Sequence, residues 1–217
     1  MSIDYPKIPC AFKRDPDTKK LTDEFREPEF DLLAHVDWRW TEKLDGMNVV
    51  VHWDGHRVSY QGRTERAQLP AGLVERLNTL FVGDANEELF EQLFGADDVI
   101  LYGEGIGGRI QHGKRGGRYT ESEEFRLFDV RIGGVWLQWE DVCDVAQKLG
   151  LQTVPYMGAH TLHSIALRMM VEHEQGSVVS AENPECTCEG YVGVPVCGLL
   201  NRRGERLQVK LKYGDFA

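Results

Sequence analysis

The run VVVHWDGHRVSYQ, Val49 to Gln61, constrains the fold more than any other stretch of the sequence. Two strand-forming segments, Val49 to Trp53 and Arg57 to Gln61, flank Asp54-Gly55. An Asp-Gly pair readily takes the positive backbone angles of a tight hairpin turn, so the two segments should pair antiparallel. FRLFDVRI and VWLQW repeat the arrangement around Gly133-Gly134, and VILYGE, Val99 to Glu104, reads as a buried strand.

Helical spacing recurs between these strands. Leu73, Val74, Leu77 and Leu80 fall on one stripe, and Leu89, Phe90, Leu93 and Phe94 on another. Glu140 to Leu149 fits a helix stopped by Gly150. Thr161 to His173 fits a further one, with Leu162, Ile165, Ala166, Met169 and Met170 toward the core. Short strands with tight turns and interspersed helices predict an α+β fold rather than a doubly wound parallel sheet. GEGIGG, Gly103 to Gly108, has the glycine spacing of a dinucleotide-binding turn. The RIQHGKRGGR that follows is too rich in glycine to form the helix that would receive a pyrophosphate, which removes that reading.

With 217 residues, 41% of them apolar and 28% charged, the chain can bury a core without staples and is expected to form a single domain. No apolar run nears the roughly 18 residues of a membrane span, and MSIDYPKIPC lacks a signal pattern, so the expected address is the cytoplasm with no membrane partner. Five cysteines suit free thiols in a reducing compartment. Cys186, Cys188 and Cys197 leave half a zinc site open as an alternative, without the paired C-x-x-C spacing of structural zinc. A net charge of −10 argues against nonspecific coating of nucleic acid. Arg109 to Arg118 reverses that balance locally, with four positive charges and no acid, and is either a solvated loop or a clamp on phosphates.

In RLQVKLKYGDF, Leu207, Val209, Leu211 and Tyr213 share one strand face, and Gln208, Lys210 and Lys212 share the other. Further polar residues stand at strand mouths: Lys43, Asp45, Arg63, Glu104, Asp129 and Glu189, each flanked by apolar or glycine residues. Charges in such places are costly unless they pair with one another, a metal or a ligand.

Their order and spacing resemble the collinear motifs of the covalent nucleotidyltransferases, which comprise nucleic-acid ligases and mRNA capping enzymes. EKLDG resembles motif I, whose K-x-D-G lysine becomes nucleotidylated; YGEG resembles motif III and FRLFDV motif IIIa. EGYVGVP resembles motif IV and VKLK motif V, so the likeness spans Glu42 to Lys212 after a lead of residues 1–40. K-x-D-G alone is weak; five motifs in order are specific. EKLDGMN, GEGIGGRIQ and EGYV look most like phage-type RNA-repair ligases, which seal 3′-hydroxyl to 5′-phosphate ends.

The resemblance implies the ligase adenylylation (ATP-grasp-like nucleotidyltransferase) fold, with mostly antiparallel sheets, flanking helices and a nucleotide cleft between sheets. It implies ATP as donor, AMP as a covalent intermediate, Mg²⁺ or Mn²⁺ as metal, and a nucleic-acid partner, RNA ahead of DNA. Lys43 would attack the α-phosphate, and it must be neutral to do so although lysine's ordinary pKa is about 10.4. Lys210, Lys212 and the metal would supply the positive field that favours the neutral amine. Asp45, Glu104 and Glu189 would hold the metal through waters. Arg63 would reach ribose or phosphate, Glu104 a ribose hydroxyl, and Phe128 would stack on adenine, or else be a core aromatic. Glu42 and Lys43 would add backbone contacts to the base edge, and Asn48 would meet the 5′-phosphate end. Asp129 would act in the site or pair structurally.

The chain ends five residues past Lys212, so no C-terminal ligase domain is expected, which leaves open whether the chain completes sealing alone or relies on an unknown partner replacing that domain. A DNA ligase, a GTP-using capping domain and a catalytically inactive end-binding module stay open as alternatives.

Overall fold

The structure is a computed structural model that describes residues 3–18, 20–64, 66–111, 119–172, 175–179, 185–201 and 203–216. In chain order its elements begin β1 (Phe12–Arg14), β2 (Leu21–Phe25), α1 (Pro28–Leu32), β3 (Trp38–Glu42), β4 (Met47–Trp53) and β5 (Val58–Gly62). Next come α2 (Ala71–Phe81), α3 (Asp84–Phe94), β6 (Val99–Ile106), β7 (Glu124–Ile132), β8 (Val135–Trp136) and α4 (Trp139–Lys148). β9 (Gln152–Thr153), β10 (Tyr156–His160), α5 (Leu162–Glu172), β11 (Gly190–Pro195) and β12 (Val209–Lys212) complete the order. The expected α+β class holds: every strand pairing is antiparallel among the described strands except that of β7 with β9. Contacts divide the chain into two compact units.

One unit comprises Met1–Pro6 and Asp45–Val154. Its sheet runs β5-β4-β6-β7-β8, with β9 on β7. The Asp54-Gly55 hairpin forms as expected: the Asp54 carboxylate accepts the His56 and Arg57 amides at 2.9 and 2.8 Å, which closes the turn. The predicted α2 and α3 bury Leu73, Leu77, Phe81 and Phe90. Val50, Ile100 and Tyr102 form a small apolar cluster against which Ile3, Tyr5, Phe128 and Trp136 pack. The second hairpin is shorter than its sequence suggests. VWLQW divides, with Val135 and Trp136 in β8 and Trp139 opening α4, because Glu140 and Asp141 suit the positive end of a helix.

The other unit comprises Lys7–Leu44 and Pro155–Ala217. Its sheet runs β10-β3-β11-β12, beside the β1-β2 pair. Trp38 and Trp40 lie at the centre of its core with Phe30, Tyr191, Leu211 and the buried stripe of α5. That stripe holds Leu162, Ile165, Ala166 and Met169; Met170, expected with them, is 47% exposed because it lies a further 100° round the helix from Met169. Residues assigned to a lead are thus part of the fold, since β3 begins at Trp38 and Phe12 and Phe30 are core residues. No helix among the described residues is long and apolar enough to cross a membrane.

Candidate active site

Lys43 follows the last residue of β3. In β3, Trp38, Trp40 and Glu42 alternate onto the core side and are all buried, which turns the next side chain, Lys43, to the opposite face. The Lys43 amide donates to the Gly190 carbonyl at 2.8 Å, locking the strand end to β11. Lys210 lies across from Val192, and Val192 across from Thr41, so the β12 lysines share the Lys43 face. The Lys43 ammonium donates to Glu189 Oε2 at 2.6 Å, and Lys212 pairs with Glu189 Oε1 at 2.5 Å. One carboxylate thus bridges two lysines, each on its own oxygen.

Glu189 keeps 3% of its side-chain exposure, against 24% for Lys43 and 35% for Lys212. Burial alone would raise its carboxyl; the Lys43 charge, the Lys212 and Lys43 hydrogen bonds and the Lys212 charge outweigh it and hold it below the usual carboxylate range. Burial pulls the Lys210 ammonium below the ordinary lysine value, and the charges of Lys212 and Lys43 pull the same way. Gly190 makes the arrangement possible. Its φ is 152°, and a Cβ there would lie 2.0 Å from the Leu211 carbonyl oxygen.

Glu42 is 2% exposed. Its carboxylate accepts the Ser177 hydroxyl at 2.5 Å and the Val178 amide at 3.0 Å. Burial raises its pKa, and these hydrogen bonds offset part of the rise. The Glu42 amide is committed to the Pro155 carbonyl at 2.9 Å, so the amides of both Glu42 and Lys43 serve the fold. Ser177 gave no signal in the sequence, since a Gly-Ser-Val stretch reads as loop.

The other unit positions a second group. Asp45 and Gly46 lead into β4: the Asp45 amide donates to the Tyr119 hydroxyl at 2.9 Å, and the Gly46 amide to Glu104 Oε1 at 3.1 Å. A Cβ on Gly46 would stand 2.2 Å from the Gly105 carbonyl oxygen, which explains the glycine of the Lys-Leu-Asp-Gly motif. Asn48 lies directly across from Glu104, so the two side chains share a sheet face, and Asn48 Oδ1 is buried without a hydrogen-bond partner among the described residues. Arg63 is exposed just after β5. Phe128 is the extra residue of a bulge, since Tyr102 pairs with Asp129 and Gly103 with Leu127. It packs on the Tyr102 cluster, its ring edge to face with Tyr5 at 5.0 Å. Asp129 is buried and accepts the Tyr5 hydroxyl at 2.8 Å. Tyr5, near the N-terminus, and Tyr119, between the YGEG and FRLFDV motifs, match no motif position and escaped the sequence reading for that reason.

Asp45 and Glu104 in one unit, and Glu189 in the other, each offer oxygen donors of the kind a hard divalent cation prefers. Among the described residues, no three or more His, Cys, Asp or Glu side chains are grouped to hold a metal directly. Cys186 and Cys188 are buried, Cys197 is exposed, and all five cysteines are free thiols. Of the basic segment, residues 112–118, including Lys114, Arg115 and Arg118, lie outside the described residues.

A model of the RNA ligase family matches residues 36–208. The chain belongs to the RNA ligase family. The matched span includes every motif from Lys43 to Glu189, and it ends before Lys210. Among solved structures, Naegleria gruberi RNA ligase is similar in several states. A variant with ATP and Mn has TM-score 0.65 and 17% identity, covering 96% of this chain and 61% of that one. A variant with AMP and Mn gives 0.64, 18%, 95% and 61%, and the enzyme with pyrophosphate 0.64, 18%, 96% and 61%. At that identity the likeness establishes the shared nucleotidyltransferase fold, and the chain spans about 61% of the length of that ligase. No curated protein matches the sequence.

Proposed function

We propose that this chain is an ATP-dependent RNA ligase that works through a lysyl-AMP intermediate. The observation that carries the reading is Lys43, the motif lysine of a family member, held by a buried carboxylate on the face it shares with Lys210 and Lys212. Lys43 Nζ attacks the α-phosphorus of ATP; a P–N bond forms, the bond to the bridging oxygen breaks, and pyrophosphate leaves. A 5′-phosphate oxygen of RNA then attacks the lysyl-AMP phosphorus and the P–N bond breaks. The 3′-hydroxyl oxygen finally attacks the 5′-phosphate, and AMP departs. All three are in-line displacements that depend on positioning and charge neutralisation.

Lys210 and Lys212 neutralise phosphate oxygens, and Glu189 orients Lys43 in the resting state. Asp45, Glu104 and Glu189 would hold Mg²⁺ or Mn²⁺, which supplies positive charge at the α-phosphate. Arg63 serves ribose or phosphate and Asn48, with its unpartnered Oδ1, the 5′-phosphate end. Phe128 offers a ring face to adenine, whereas Glu42, its amide taken by Pro155 and its carboxylate by Ser177, holds the end of β3 rather than the base edge. Five free thiols suit the reducing cytoplasm.

Intact mass after incubation with ATP and Mg²⁺ tests the reading: one added adenylate is expected, absent in Lys43→Ala. Labelled GTP should leave no adduct, and nicked RNA should be sealed in preference to nicked DNA. A wild-type chain that takes up no AMP ends the enzyme reading in favour of an end-binding module.

A further inference from the structure

In the Asp45–Val154 unit, a cleft of about 280 Å³ opens where β7, β9 and α2 meet. Two guanidinium groups, Arg76 and Arg126, line it, with Glu124 between them and Ser122 and Gln152 at the exposed rim. Arg76 Nε donates to Glu124 at 3.0 Å. Arg126 is otherwise placed: its side chain is 12% exposed, its nearest carboxylate oxygen is 3.9 Å away on Glu124, and it makes no hydrogen bond among the described residues. Most of the guanidinium is therefore withdrawn from water, with only this distant carboxylate as its near counter-charge. Burying a cation in this way is costly unless a ligand completes the pairing. Burial accordingly draws the Arg126 pKa down.

We propose that this cleft binds a backbone phosphodiester of the RNA strand, with Arg126 as its main contact. The proposal rests on the reading of the chain as one that handles RNA. Two features choose a phosphodiester over the triphosphate of ATP. Two arginines and one glutamate leave a single excess positive charge, which matches a monoanion, and Glu124 would repel a polyanion. Register also places the cleft beside the catalytic acids: Arg126 lies across from Glu104 on one side and from Gln152 on the other, and Glu104 lies across from Asn48. A strand whose end meets Asn48 and Glu104 would lay its next phosphates along that same row.

The test measures binding of a short fluorescent single-stranded RNA to the full chain over a series of KCl concentrations, with AMP uptake from ATP in parallel. Arg126→Gln should bind about tenfold more weakly. Its plot of log affinity against log salt should be shallower by about 0.7, the value for one lost phosphate, while AMP uptake stays at the wild-type rate. Arg126→Lys keeps the charge and should keep the wild-type slope. Ser122→Glu, a rim change that leaves the interior untouched, should weaken RNA binding too. An unchanged slope in Arg126→Gln, or unchanged affinity in Ser122→Glu, overturns the proposal. So does a raised KM for ATP with RNA binding intact, which would make the cleft a nucleotide-phosphate site. A wild type that binds RNA with the expected slope differences yet takes up no AMP refutes the ligase reading and leaves the cleft standing.

Discussion

Glu189 is the side chain on which most depends at the level of single residues. Replacing it by glutamine leaves two ammonium groups facing a neutral amide. The expected loss is about 2 kcal/mol, below the roughly 3–5 of a wholly buried pair because both lysines retain some exposure to water. The pH dependence has a defined sign. A carboxyl held below its ordinary value stabilises the fold above the ordinary carboxyl range, and that contribution is lost as pH falls through the lowered value. Urea unfolding of wild type and Glu189→Gln from about pH 7 to about pH 3 should therefore show the difference between them shrinking with acid. Lys43, Glu189 and Lys212 were legible in the sequence because the motifs name them. Their geometry was not: lysine charges were expected to surround Lys43, and the structure sets a carboxylate against it at 2.6 Å. Residue order carries no sign of which charge stands nearest in space.

Among the elements, β11 and β12 bear the site, and Gly190 sets their approach. Gly190→Ala would drive a methyl into the Leu211 carbonyl and shear the pair, moving Glu189 from Lys212. We expect a loss of about 3 kcal/mol in a thermal melt and a fall in AMP uptake larger than that of Tyr213→Phe. Tyr213→Phe removes only a hydroxyl, which contacts Tyr191 Oη at 3.1 Å and Glu172 Oε2 at 3.2 Å, and should cost about 1 kcal/mol. Hairpins and amphipathic helices were readable because alternation and 3.6-residue spacing are local. The bulge at Phe128 was not, since it depends on how β7 meets β6, and neither strand alone encodes that pairing. The division of VWLQW between a strand and a helix escaped for the opposite reason: acidic residues beyond the strand pattern decided it.

For the molecule as a whole, the free thiols give a direct check. Cys197 is exposed, Cys143 partly covered, and Cys10, Cys186 and Cys188 buried. A thiol reagent should find one fast site in the native chain and all five in denaturant, with no change on adding a zinc chelator. With an overall charge of −10, the proposed RNA partner would be met through local cations such as Arg126 rather than a broad basic surface. The proposed chemistry alters that charge where it matters. Attaching AMP to Lys43 replaces an ammonium with a neutral nitrogen bearing an anionic phosphorus group, two units of charge more negative. Glu189, doubly neutralised at rest, would then keep Lys212 as its near cation and gain an anion beside it. Each turnover would thus dismantle the bridge that held the enzyme beforehand, and release of the nucleotide to RNA would rebuild it.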